Sequence, residues 1–275
     1  MAVEPSGVVA YMSDFGWNDP YAGIVRGIVD KLSGGRVKLI DLTHDIPAFN
    51  ILAGAYVLYT SYRYFRHGTV FLVVVDPGVG TRRRAVAIVT RHYYFVGPDN
   101  GVLYPAAAED GIEAVYNITN EDIYLKPVSM GFHGRDIFAP AATLLALGVN
   151  PLTFGDPIDP DDLVKLTLRG KCDEGTVTAK AVYIDHFGNV ALGLESTCVD
   201  KLCAGGSVQV VAPAGTFTAR CLPVFSHGKP GELVFYLNSL GFPELAVNLG
   251  SAAERLAVRV GDEVTLAASK GERVE

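Results

Sequence analysis

Asp76 follows the run Val70-Phe71-Leu72-Val73-Val74-Val75 and precedes the corner Pro77-Gly78-Val79-Gly80-Thr81. Six apolar residues without polar alternation predict a strand buried on both faces, as in a parallel sheet. Ligands of open α/β sheets bind beyond the carboxyl ends of such strands, so Asp76 is a candidate for chemistry. Ser13-Asp14-Phe15-Gly16 forms a second acid-and-glycine corner, after the strand candidate Val8–Met12. A third corner, Gly131-Phe132-His133-Gly134-Arg135-Asp136, sets a histidine just ahead of a helical run. Histidine titrates near working pH and suits proton transfer, and an arginine can hold charge that develops on oxygen. Arg83 follows Asp76 by seven residues and is singled out by that spacing within Arg82-Arg83-Arg84. Each residue also has a plain reading. Asp76 could shape a turn, the arginines a solvated face, and His133 a loop. Arg135 and Asp136 read as a structural pair or a helix N-terminal charge. His44 and Asp45 resemble metal ligands but lack a third matched partner, so a supporting role is preferred.

The elements that must position these residues fall into two regimes. From Val8 to about Leu147, strand-like runs alternate with helical patterns. Helices are expected over Tyr21–Leu32, Ile51–Tyr64 and Asp136–Leu147, and strands over Val8–Met12, Val37–Leu42, Val70–Val75, Ala85–Thr90 and Tyr93–Val96. This alternation predicts an α/β domain with a largely parallel sheet flanked by helices. Residues 150–162 carry three prolines and four aspartates and read as connecting chain. Beyond them come short runs at Gly175–Ile184, Val190–Leu194, Ser207–Val211, Thr216–Cys221, Glu232–Leu237 and Leu256–Val260. These predict an all-β C-terminal barrel or sandwich. The expected domains are 1–155, a linker over 156–170, and 171–275.

At 275 residues, 49% hydrophobic and 19% charged, the chain has ample material for a core. A net charge of −7 argues against nucleic acid or an anionic membrane as partner. No apolar run approaches the roughly 18 residues of a spanning helix. The first residues lack the basic start and apolar core of a secretory signal, which predicts a cytoplasmic protein. Cys172, Cys198, Cys203 and Cys221 do not match paired zinc motifs. They allow three disulfide pairings, which a cytosolic setting disfavours outside hyperthermophiles. A single glutamine against nine asparagines leans towards a thermophilic source.

Taken together, Ser13-Asp14-Phe15-Gly16 with Asp19 and Tyr21, the Asp76–Thr81 corner with Arg83, and Phe132-His133-Gly134-Arg135-Asp136 carry a family resemblance. Asp185-His186-Phe187-Gly188-Asn189 and Tyr236-Leu237-Asn238-Ser239 extend it through the second half. The whole chain resembles the S-adenosylmethionine hydroxide adenosyltransferases, adenosine-forming hydrolases related to the fluorinase and chlorinase enzymes. The resemblance implies an N-terminal α/β domain, a C-terminal barrel, and a homotrimer with each active site between two subunits. It also implies attack of water or hydroxide at C5′ of S-adenosylmethionine, with methionine as leaving group and no cofactor or metal. The hydrolase branch is marked by an Asp, Arg and His set, which falls on Asp76, Arg83 and His133. The halogenases carry an aromatic hydroxyl residue, a Tyr and a Ser where this chain has Asp76, His133 and Gly134, so hydrolysis is the preferred reading.

On this reading His133 serves as general base, Asp76 orients the water or the imidazole, and Arg83 holds charge on oxygen. Asp14 and Asp19 belong to the substrate-binding set, with Asp14 on the ribose diol. Asp185 would meet the methionine ammonium and Ser239 its carboxylate. Phe187 and Phe225 would sandwich adenine, with Asn189 and Asn248 at its edge; the plain alternative for both rings is barrel core. An arginine expected after Ser239 is Leu240 here, which weakens the carboxylate contact. The alternatives are a non-catalytic nucleoside or S-adenosylmethionine binding protein, a halide-using adenosyltransferase, and a metal-dependent hydrolase using His44, Asp45, Asp76 and His133.

Overall fold

A computed structural model of the chain describes residues 3–172 and 175–269. They form two compact units that divide between Leu166 and Thr167. In the first unit, β1 (Val8–Ser13), β2 (Lys38–Thr43), β3 (Val70–Val74), β4 (Ala85–Thr90), β5 (Tyr94–Pro98), β6 (Ile112–Asn117) and β7 (Pro157–Ile158) form one sheet in the order β2-β1-β3-β5-β4-β6-β7. The pairs β1–β2, β1–β3 and β3–β5 are parallel. β4 runs against both β5 and β6, so the direction reverses only at β4 and at the short edge strand β7. The helices are α1 (Tyr21–Ser33), α2 (Ile51–Ser61), α3 (Tyr104–Asp110) and α4 (Ala139–Ala146).

Local chemistry explains these elements. Every residue of β3 is buried, as expected of a Val-rich strand covered on both faces. α1 stops where Gly34 takes the left-handed conformation, at φ 59°. Asn50 caps α2 by accepting from the Ala53 amide at 2.9 Å. The helix expected over Ile51–Tyr64 ends at Ser61 and tightens into a 3₁₀ turn over Tyr62–Tyr64. The helix expected from Asp136 opens instead with a π-turn over Gly134–Phe138, which leads into α4. The stretch 156–170, read from composition as a linker, contains β7 and is held to its unit where the Val164 amide donates to Asp99 at 2.9 Å.

The second unit is a closed barrel built from β8 (Thr176–Ile184), β9 (Val190–Leu192), β10 (Ser207–Ala212), β11 (Gly215–Cys221), β12 (Leu233–Leu237), β13 (Pro243–Val247) and β14 (Glu263–Ala268), in the order β10-β11-β12-β13-β9-β8-β14. Its pairings are antiparallel except β11–β12. Two short helices, α5 (Thr197–Leu202) and α6 (Ala252–Leu256), accompany it. The strand expected over Leu256–Val260 is absent. Ser251 Oγ accepts from the Glu254 amide at 3.1 Å and starts α6 there, and β14 closes the barrel instead.

All four cysteines are bridged, against the expectation for a cytosolic setting. Cys172 joins Cys198 and Cys203 joins Cys221, each pair with Cα atoms 5.7 Å apart. One bridge ties down Cys198 within α5 and the other Cys203 just past its end, and closing loops of 26 and 18 residues contributes about 3 kcal/mol each by restricting the unfolded chain. Among the described residues no helix is long and apolar enough to cross a membrane.

Candidate active site

β3 delivers Asp76 to the carboxyl edge of the sheet, and the chain then turns tightly. The Val79 amide donates to the Asp76 carbonyl at 3.2 Å, and Thr81 Oγ1 to the Gly78 carbonyl at 2.7 Å. Gly80 is required here. Its φ is 75°, and a Cβ would lie 2.7 Å from the Met130 carbonyl oxygen. The turn swings Arg83 back over Asp76. Arg83 Nε donates to Oδ1 at 2.9 Å and Nη2 to Oδ2 at 2.5 Å, a two-pronged pair with side chains 9% and 5% exposed. The guanidinium rests 5.0 Å from the Phe138 ring centre. The arginine run therefore divides: Arg83 points inward, Arg84 pairs with Asp99 at 2.7 Å, and Arg82 is exposed.

Arg83 Nη2 also lies 2.9 Å from Nδ1 of His133. A guanidinium only donates, so Nδ1 must accept and neutral His133 carries its proton on Nε2. Burial, reinforced by the Arg83 charge, holds the His133 pKa below its ordinary value, against the opposing pull of Asp76 and Asp136. The π-turn that follows His133 is a form often found at functional sites. It packs tightly on β3, because a Cβ at Gly134 would sit 3.0 Å from Val74 Cγ1. Phe132 meets Phe15 at 5.8 Å and Tyr21 at 5.5 Å between ring centres, which ties the His133 segment to the first corner and to α1. Arg135 and Asp136 pair with each other at 2.6 Å, a structural contact with Asp136 fully buried.

Asp14 follows β1 beside this cluster. Its Oδ2 accepts from the Phe49 amide at 2.8 Å, and Phe49 itself adopts φ 63° with its ring 71% exposed. Burial chiefly, with some repulsion from Asp76, raises the Asp14 pKa. Asp19 lies on the exposed chain before α1. His44 is fully buried, 2.7 Å from Ser13 Oγ and 3.1 Å from Asp41 Oδ1. Both of its ring nitrogens are thus engaged, and it braces the Asp14 corner, where the Gly16 amide donates to its carbonyl at 2.7 Å. That arrangement removes it as a metal ligand.

The barrel carries a second group. Asp185, just beyond β8, accepts from the amides of Phe187 at 2.9 Å and Asn189 at 2.8 Å. The Asn189 side-chain amide donates to Asp185 at 2.9 Å, so Asn189 is committed to this turn rather than standing open at a ligand's edge. Asn248 Nδ2 donates to the Gly228 carbonyl at 2.7 Å and braces the loop that carries Phe225. Phe187 is 74% and Phe225 40% exposed, which excludes the barrel-core reading of both. Ser239 is exposed in the turn after β12. Glu244, buried on β13, did not stand out in the sequence, because a lone acid in Phe242-Pro243-Glu244-Leu245-Ala246 carries no motif signal.

The fold is thus a two-domain one, an α/β unit with an Asp–Arg–His cluster at its sheet edge followed in the chain by a seven-stranded closed barrel. The chain belongs to the SAM hydroxide adenosyltransferase family. The family's N-terminal domain matches residues 9–155 and its C-terminal domain residues 179–265. An (R)-S-adenosyl-L-methionine hydrolase from Salinispora tropica is 37% identical, over 96% of this chain and 99% of that protein. A fluorinase from an Actinoplanes species is 26% identical, over 94% and 97% respectively. The crystal structure of a conserved protein from Thermotoga maritima superposes with a TM-score of 0.84 at 34% identity, covering 94% of this chain and 99% of that one.

Proposed function

We propose that this protein hydrolyses S-adenosyl-L-methionine to adenosine and L-methionine. The observation that carries the reading is the hydrogen-bonded set Asp76–Arg83–His133 at the carboxyl end of β3. The oxygen of water or hydroxide forms a bond to C5′ while the C5′–S bond breaks. Its electrons stay on sulfur, and methionine leaves as a neutral thioether. The leaving group needs no further activation; the nucleophile does, since free water has a pKa of about 15.7.

For His133 we assign a part other than general base. With Nδ1 accepting from Arg83, the ring presents an N–H at Nε2 and acts as a donor rather than a general base. Together Nε2–H and the Arg83 guanidinium stabilise the hydroxide left when a bound water gives its proton to solvent, and aim its remaining lone pair at C5′. That charge is then neutralised as the O–C5′ bond forms and the C5′–S bond breaks. Asp76 fixes the guanidinium plane. This role requires neutral His133. Because burial and the Arg83 charge hold its pKa below the ordinary histidine value, the acid limb of kcat/KM should have its midpoint below that value. A pH–rate profile that loses half its activity above the ordinary histidine value contradicts the assignment.

Asp14 accepts the ribose hydroxyls, Phe187 and Phe225 flank adenine, Asn189 and Asn248 brace the loops of the adenine site, and Asp185 and Ser239 take the amino-acid end. Asp19, on the exposed chain before α1, belongs to the same substrate-binding set. Asp14→Ala should weaken adenosine binding about tenfold or more, since a charged acceptor is lost, with kcat less affected. Calorimetry with adenosine measures this, and unchanged affinity removes Asp14 from the ribose site. We further propose a homotrimer in which the triad of one subunit meets the barrel of its neighbour. Trp17, Phe49 and Met130, at 51%, 71% and 78% exposed, support this reading as an apolar rim suited to cover by another copy. The function itself is tested by incubating purified protein with S-adenosylmethionine and separating the products. Stoichiometric adenosine and methionine are expected, and their absence rejects it.

A further inference from the structure

Glu244 is a buried carboxylate that the mechanism above leaves unused. It stands opposite Ala191 of β9, one register step from the Val190–Ile184 pair that leads into Asp185. Asn238 Nδ2 donates to its Oε2 at 2.7 Å, and the Tyr236 hydroxyl donates to its Oε1. Asn238 in turn builds the loop that carries Ser239. Its Oδ1 accepts from the amides of Leu240 and Phe242, both at 3.0 Å, and its own amide donates to the Phe242 carbonyl at 2.9 Å. The Tyr236 ring lies 6.2 Å from that of Phe225. One carboxylate thus holds the supports of the Ser239 turn and of the Phe225 ring.

We propose that Glu244 is a positioning residue for the amino-acid end of the substrate, fixing the Ser239 turn through Asn238 and adding to Asp185 the negative potential that draws an α-ammonium group. This rests on the hydrolase reading and deepens it. Among the described residues neither Asp185 nor Glu244 forms an ion pair. Two acids in one partly buried region repel each other unless a cation is supplied. Burial, helped by the Asp185 charge, already raises the Glu244 pKa against the hydrogen bonds from Asn238 and Tyr236. The Arg169 guanidinium stacks on the Phe242 ring at 4.1 Å beside this turn. A ligand with an ammonium and a sulfonium brings further positive charge, and adenosine, which lacks both, brings none.

Glu244→Gln keeps the shape and one acceptor oxygen but removes the charge. Its KM for S-adenosylmethionine should rise about tenfold with kcat within about twofold, and its affinity for adenosine should hold within about twofold. Glu244→Ala should raise KM further, because Asn238 loses its acceptor. If that variant fails to fold, Glu244→Gln and Glu244→Asp carry the test. A Glu244→Gln protein with unchanged KM overturns the inference, as does one that loses adenosine and S-adenosylmethionine affinity in equal measure. Wild-type protein that binds adenosine yet neither binds nor consumes S-adenosylmethionine overturns the hydrolase reading instead, and the inference with it.

Discussion

Arg83→Lys is expected to lower kcat by about 10²–10³-fold, the range seen when one donor to a developing oxyanion is removed. Lysine keeps the positive charge beside Asp76, so the buried acid is not left uncompensated. It cannot keep the geometry. Arg83 uses Nε and Nη2 on Asp76 while the same Nη2 reaches His133, and a single ammonium on a flexible stem cannot span both partners in one plane. His133 then loses the bond that fixes its tautomer, and a proton shifted to Nδ1 would turn Nε2 from donor to acceptor. Adenosine affinity should be unchanged, because neither residue is assigned to the base or the ribose. Steady-state kinetics with calorimetry separates the two. A variant with near-normal kcat would show that the cluster is scaffolding, and a loss confined to KM would place Arg83 in ground-state binding.

The second large effect is recovery of activity from two inactive proteins. His133→Ala breaks the Asp76–Arg83–His133 set, and Asp185→Ala removes the acid proposed to meet the substrate ammonium. If one subunit's triad serves its neighbour's barrel, a mixed assembly contains interfaces with both halves intact. Random reassembly of equal amounts into rings leaves about a quarter of the interfaces whole, so about a quarter of wild-type activity should return. Sites formed within a single chain would return none. The mixture must be dissociated and reassembled, and mixing without that step serves as the control.

The strongest sequence signals were those of uniform burial. β3 was legible because an unbroken Val-rich run has one reading, and Asp76 was legible because Pro77 and Gly78 end that run. Arg83 and His133 could be selected by spacing and glycine context, but not the bond between them, which arises only when the 76–83 turn folds back. The protonation pattern of His133 was hidden for the same reason, and with it the donor role proposed for this residue. α3 was missed because Tyr104-Pro105-Ala106-Ala107-Ala108 carries no amphipathic period, although Pro at its start is a legitimate helix signal. β13 was missed because Pro243 opens it and Glu244 interrupts its apolar pattern. Ser251 and Glu254 carry a capping pattern in the sequence, but the valines after Leu256 favour a strand reading that competes with it.

Hydrolysis in water enriched in oxygen-18 tests the chemistry most directly. Attack at C5′ predicts that adenosine carries the label at its 5′-hydroxyl, with one labelled oxygen per turnover and none introduced into methionine. Adenosine free of label at that position, or label found in the amino-acid product, would contradict attack of water at C5′ and the role given to Asp76, Arg83 and His133.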